Sequence, residues 1–299
     1  MSSTRRGRSG RRRTPRALWL FPVPALALYL FFFAYPTVQA VQYALTDWDG
    51  YSAAYHNVGL HNFTQLATAD DTFANAAENN LKLTVTVVLA QTAIALLLAL
   101  YLVRTTRAST LLRAVFFLPA VLSSVSVAFV WRFVYDPDGG LLNSALRAVG
   151  LGSFQSVYLG NPNTAVFWLA LTQVWFHAGQ MMVVFIAGLQ AIPRELYEAA
   201  ELDGAGRGAR FRYVTWPLVA PATGIVVAYT TVQSFKAFDL VLGLGGNPPS
   251  PALDILSTRV YTTFSNNQFG YAAAQSLVFM ALIALLTWVQ RRAIRRATR

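Results

Sequence analysis

Ile192-Pro-Arg-Glu-Leu-Tyr-Glu-Ala-Ala-Glu-Leu-Asp-Gly-Ala-Gly-Arg-Gly-Ala-Arg-Phe-Arg-Tyr-Val-Thr-Trp-Pro217 is a long polar stretch set between two apolar runs, yet it carries the marks of folded structure. Pro193 suits the first turn of a helix, where its missing N–H would have no partner anyway, and Glu195 and Glu198 favour the positive pole of the helix dipole. A short helix is therefore expected from Pro193 to about Asp203. Gly204, Gly206 and Gly208 each cost about 1 kcal/mol in a helix interior, so the chain is expected to turn before Arg210 opens a second helix. The product is a helix-turn-helix knob. Leu196, Ala199, Ala200 and Leu202 offer it small or apolar docking surface, and Glu195, Glu198, Glu201 and Asp203 make it acidic. It suits insertion into a partner; the plainer reading is an amphipathic loop helix that touches only its own chain.

Working outward, the composition sets the class. Of 299 residues, 55% are hydrophobic and 12% charged, about half the charged share of an ordinary soluble domain. This is the balance of an integral membrane protein. With no cysteine, disulfides and thiolate metal sites are excluded and the redox compartment stays undetermined. The formal charge of +11 does not point to nucleic acid, because the arginines cluster beside apolar spans as orientation signals do.

Residues 1–16 carry Arg5, Arg6, Arg8, Arg11, Arg12, Arg13 and Arg16 without apolar periodicity and are expected to form a disordered cytoplasmic tail. Membrane spans are expected at about 17–40, 80–103, 111–134, 165–189, 217–238 and 270–289, each long enough for a hydrocarbon core of about 30 Å. The first has a rival reading as a secretory signal ending at Val38-Gln39-Ala40, but its unbroken apolar run from Ala17 to Ala34 exceeds the roughly 7–15 residues of such a core. Pro119 is expected to kink the third span. The polar stretch from Leu45 to Asn79 reads as an external loop, and His56 and His61 within it lack a third ligand for a metal. Gly243 to Pro251 is expected to be irregular. Residues 291–299 form a basic cytoplasmic tail. With both termini inside, every basic residue except Lys82, Arg132, Arg147, Lys236 and Arg259 is cytoplasmic, which satisfies the positive-inside rule and places the 192–217 loop in the cytoplasm.

No catalytic machinery is recognisable. A Walker A loop needs a lysine after glycine, whereas the two lysines here follow Leu81 and Phe235. There is no Gly-x-Ser-x-Gly elbow and no His-Glu-x-x-His helix. The chain is expected to supply a path and a lever, with hydrolysis elsewhere. Polar groups within apolar spans face a cavity or a partner, so the candidate path is Gln173, Trp175, His177 and Gln180 in the fourth span and Tyr229, Gln233, Ser234 and Lys236 in the fifth. Trp175 and Tyr229 are suited to stack on a sugar ring whose hydroxyls the amides bind; alternatively the glutamines bridge helices and Trp175 packs on a neighbour. Lys236 and Asp239 are expected to form a helical ion pair at the outer mouth.

Glu198-Ala199-Ala200, three residues, Gly204, nine residues, then Val214-Thr215-Trp216-Pro217 resembles the cytoplasmic-loop signature of inner-membrane permease subunits of binding-protein-dependent ABC importers. Val214 and Trp216 stand where Ile and Leu are usual, and both remain apolar. Gly59-Leu60-His61-Asn62-Phe63, Ala237-Phe238-Asp239 and Phe269-Gly270-Tyr271-Ala272-Ala273-Ala274 are similar to stretches of carbohydrate permeases of the maltose and glycerol-phosphate uptake type, first of the two permease subunits. Gly245-Gly246-Asn247-Pro248 departs from that group's Gly-Gly-Pro by one inserted residue. The resemblance implies an all-α, six-span, type I importer permease fold over 17–290 in the bacterial inner membrane. It makes 192–217 a coupling loop in which Glu198, Ala199, Ala200, Asp203, Gly204 and Pro217 meet an ATPase. It further implies a second permease subunit, two ATPase subunits holding ATP and Mg, an extracytoplasmic solute-binding protein, and no cofactor on this chain. Two other classes stand beside it. A secondary transporter would need a carboxylate inside the membrane, yet Glu78 and Asp239 lie at span ends; a membrane-embedded enzyme would need a convergent reactive set.

Overall fold

The computed structural model describes residues 20–297. The basic tail expected at 1–16, the start of the first span and residues 298–299 lie outside the described residues. Among the described residues the chain is helical, with one isolated bridge between Thr46 and Asn57. Five helices are long and apolar enough to cross a membrane: α1 (Val23–Tyr43), α3 (Asp71–Leu102), α7 (Ala165–Gln190), α9 (Arg207–Phe235) and α12 (Phe269–Ala297). A bent pair, α4 (Arg107–Phe117) and α5 (Ser124–Val134), is apolar enough to count as a sixth span if its two halves are taken together. Shorter helices fill the connections: α2 (His61–Thr68), α6 (Leu141–Ala148), α8 (Arg194–Leu202), α10 (Phe238–Gly245) and α11 (Leu256–Ser265).

The third span departs most from expectation. A kinked helix is predicted over 111–134, but its two halves meet at 99°. Pro119 has no N–H to continue the ladder, so Leu118–Val121 tightens into a 3-10 turn and Leu122 is extended. Ser123 then caps a fresh helix, its side chain accepting from the Ser126 N–H at 3.1 Å. The sequence there holds a stop and a start, not one kink. Gly179 of α7 lets this elbow press against the bundle, because a Cβ there would run into the backbone carbonyl of Phe116.

The fifth span likewise begins earlier than the predicted Pro217. Its helix runs back to Arg207 through a π-helical turn at Phe211–Thr215. Pro217 cannot donate to the preceding turn, and a π turn absorbs the missing bond without ending the helix. The same pairing recurs in α1, where the π-helical Leu30–Ala34 precedes Pro36. The second span starts at Asp71, nine residues before the prediction, because the Asp70 side chain accepts from the Phe73 N–H at 2.9 Å and caps it.

Burial sorts the spans into a core and a rind. In α7, 67% of the membrane-length window is buried, against 0% for α1 and 17% for α12. The core is therefore α3, α7 and α9. At one end Leu83, Val87, Leu169, Ala170 and Val241 interlock; at the other, Ala95, Leu102, Phe185, Leu189 and Val219. Arg113 also serves the second end, donating to the carbonyl of Leu102 at the end of α3 and to that of Arg104 just beyond it. The opposite, acidic end is pinned by side chains bonded to backbone. Asn62 donates to the carbonyls of Ala44 and Thr46, both at 2.9 Å, and Asn79 to those of Pro251 and Asp254, both at 3.0 Å. Tyr271 donates to Asp70 at 2.7 Å. His56 lies beside Asp47 in this region, and His61 opens α2.

Candidate functional site

The 192–217 stretch folds as a knob. Pro193 sits just before α8, with an extended ψ of 136°, and α8 ends in a Schellman turn. Ala205 N–H bonds the Ala200 carbonyl at 2.8 Å, Gly204 N–H bonds that of Glu201 at 3.0 Å, and Gly204 takes φ +76°. Of the three glycines expected to make the turn, this one needs its freedom. Gly206 precedes the next helix in extended backbone and Gly208 lies inside it, so that helix starts at Arg207 and not at the predicted Arg210.

No residue of α8 is buried. Leu202 is 90% exposed, and Glu198, Ala199 and Asp203 also face outward, with Pro217 exposed at the start of the following apolar segment. Glu201 is bound by Arg210 at 3.0 Å, whereas Glu195, Glu198 and Asp203 make no ion pair among the described residues. The knob is nonetheless braced. Tyr197 and Thr215 hydroxyls meet at 3.1 Å, and Ile192, Tyr197 and Val214 join the core cluster of α3, α7 and α9. An acidic, exposed helix is thus fixed to the root of α9.

At the other end of α9 lies a cleft of about 270 Å³ between α7, α9, α10 and the start of α5. Gln173, His177, Tyr229 and Gln233 all line it. Gln173 is 1% exposed and, among the described residues, neither atom of its amide has a partner; the Oε1 of Gln233 has none there either. Buried amide atoms left unpaired are costly, so a ligand's hydroxyls would find both donors and acceptors. Gln180 donates to the Tyr229 hydroxyl at 3.3 Å and sets the phenol across the gap, while His177 Nδ1 lies 3.3 Å from its own helix's Gln173 carbonyl.

Besides Gln180, which meets the cleft only through Tyr229, two candidates lie elsewhere. Trp175, two residues beyond Gln173, points to another side of α7, as the helical period dictates. It packs edge-on against Trp131 at 5.5 Å, beside an apolar hollow that includes Ile94, Leu98 and Pro119. It does not share the cleft with Tyr229. Ser234 is fully buried and donates to the Thr230 carbonyl at 2.9 Å. The expected ion pair between Lys236 and Asp239 is absent among the described residues, because α9 ends at Phe235 and α10 begins at Phe238. Both charges line the cleft instead. Sequence reading also missed Ser124 and Phe176 in the lining. The signal for Ser124 was present in Pro119 followed by Ser123, a helix stop followed by a cap.

The comparisons agree with this architecture. Residues 91–299 match the family described as binding-protein-dependent transport system inner membrane component. The chain is 34% identical over 277 residues to the probable ABC transporter permease protein YurN of Bacillus subtilis, covering 91% of this chain and 94% of that one. It is 34% identical over 280 residues to the diacetylchitobiose uptake system permease protein NgcF of Streptomyces coelicolor, covering 87% and 79%. Its fold is that of a chain in a bacterial alginate ABC transporter solved in complex with an alginate pentasaccharide-bound periplasmic protein, with a TM-score of 0.81, 22% identity and 95% of each chain covered. The family match spans more than half of the chain, and the chain belongs to the binding-protein-dependent transport system inner membrane components.

Proposed function

We propose that the chain is the membrane-spanning permease subunit of an ATP-driven importer in the bacterial inner membrane, passing a carbohydrate from an extracytoplasmic binding protein to the cytoplasm. One observation carries this reading: the knob and the cleft sit at opposite ends of a single helix. At 1.5 Å per residue, the 29 residues of α9 make a rod of roughly 44 Å, the span of a bilayer. Knob motion relative to α3 and α7 is therefore carried to Tyr229 and Gln233 along one helix, through the π-helical turn at Phe211–Thr215 and past Pro221. The relatives' names, a diacetylchitobiose uptake system and an sn-glycerol-3-phosphate transport system, support a carbohydrate or a phosphorylated polyol as the solute class.

In this reading a second permease subunit completes the path, and two ATPase subunits bind and hydrolyse ATP with Mg on the cytoplasmic face. Glu198, Ala199, Ala200, Asp203 and Gly204 enter an ATPase groove, with the unpaired Glu198 meeting a basic residue there, while Pro217 sets the angle at which α9 leaves the knob. In the cleft, Gln173, Gln233 and His177 bond hydroxyls and Tyr229 lies against the ring. The assembled importer in proteoliposomes tests the reading. Glu198→Ala is expected to insert normally and to lower binding-protein-stimulated uptake at least about tenfold, since truncating one partner of a desolvated charge pair costs that much or more. Full stimulated uptake by this variant would reject the coupling role.

A further inference from the structure

The break between α9 and α10 leaves two full charges facing one cleft. Lys236 follows the last residue of α9 and Asp239 lies in the first turn of α10; both are exposed and both line the cleft. An unbroken helix would have made them i,i+3 neighbours that pair with each other. Among the described residues, the lining holds no other Lys, Arg, Asp or Glu. The remaining polar groups are neutral amides, a phenol and a hydroxyl beside the imidazole of His177, and the amide of Gln173 has no partner among the described residues.

These features discriminate by charge. A phosphate or carboxylate entering the cleft gains attraction from Lys236 and repulsion from Asp239, while the cost of stripping its water remains. A neutral polyol bears only the smaller cost of desolvating hydroxyls, which bonds to the cleft's amides offset. Resting on the reading of the cleft as the solute path, we infer that Lys236 and Asp239 are specificity-determining residues whose opposed charges keep the cleft near electrical neutrality, selecting an uncharged, hydroxyl-rich solute over phosphorylated or uronic ones.

The chain's lack of cysteine permits a direct test. In the assembled importer, Ser124→Cys places a thiol in the cleft lining, and Gln233→Cys is the second reporter. The rates of modification of this chain by an anionic (sulfonatoethyl) and a cationic (trimethylammonioethyl) methanethiosulfonate are followed by mass at about pH 8, above the ordinary imidazole range. The anion-to-cation rate ratio is expected within about threefold of that of a free thiol; Asp239→Asn raises it about tenfold and Lys236→Gln lowers it about tenfold. A parent ratio more than about tenfold from the free thiol, or a ratio that neither substitution moves, overturns the inference. Absence of reaction at both reporters, with either reagent, removes the solvated path and the inference together.

Discussion

The knob and the cleft occupy the two ends of α9 and are built on opposite principles. In the knob nearly every backbone bond is local, the turn closes on residues three to five positions away, and three of the four acids, Glu195, Glu198 and Asp203, stay exposed with no ion pair among the described residues. In the cleft the functional side chains come from helices far apart in sequence, and the amide atoms of Gln173 and Gln233 that have no partner among the described residues are buried. A surface that keeps charges solvated until a partner arrives stores its interaction energy outside the chain. A cavity with unpaired amides has already borne a folding cost that a ligand can relieve. The first arrangement suits a docking element, the second a binding site.

The largest expected effect tests the scaffold behind the cleft. Gly179→Val drives a side chain into the Phe116 backbone, so the elbow of α4 and α5 cannot seat on α7. Overpacking of a tight crossing costs about 1–3 kcal/mol or more, and the variant is expected to be lost from the purified complex in a thermal-stability series. The knob contains no comparable crossing. Gly204 has open space around it, and its φ of +76° is the constraint, so Gly204→Val is expected to cost about 1–2 kcal/mol of local strain. That predicts roughly tenfold weaker ATPase-subunit binding with span stability unchanged; unchanged affinity would mean that the turn does not shape the docking surface.

Gln173→Leu separates the two regions more sharply. With no side-chain hydrogen bond to lose among the described residues, the substitution is expected to leave thermal stability within about 1 kcal/mol or to raise it, while solute uptake falls. A marked loss of stability would show that Gln173 serves the fold. The smallest effect is expected at Gly208, which lies in a helix with free space around it. Gly208→Ala is expected to stabilise the knob by about 0.5–1 kcal/mol, read as protection of its amides from hydrogen exchange.

The same contrast governs what could be read from residues alone. The knob was legible because its signals are local: Pro193, the acids of α8 and Gly204 lie within a dozen positions, and each acts on its immediate neighbours. Spans four and five were legible by length and hydropathy. The elbow of the third span was not, because Pro119 announces a disturbance but its 99° angle depends on Ser123 restarting a helix and on Gly179 admitting it. Gln173, His177, Tyr229 and Gln233 could be nominated as polar intruders in apolar helices. Which of the nominees share a cavity depends on helix rotation, and there Trp175 and Ser234 part from the rest. The ion pair expected of Lys236 and Asp239 presumed a continuous helix, and two intervening residues end it.

Transmission along α9 is tested most directly by reading the cleft while altering only the knob. In proteoliposomes carrying the assembled importer with Ser124→Cys, the rate of modification by reagent added outside is measured with and without ATP. The rate is expected to change on ATP addition when Glu198 is present and to become insensitive to ATP in Glu198→Ala. An ATP-dependent rate that persists at full size in Glu198→Ala would contradict the transmission of knob movement to the cleft.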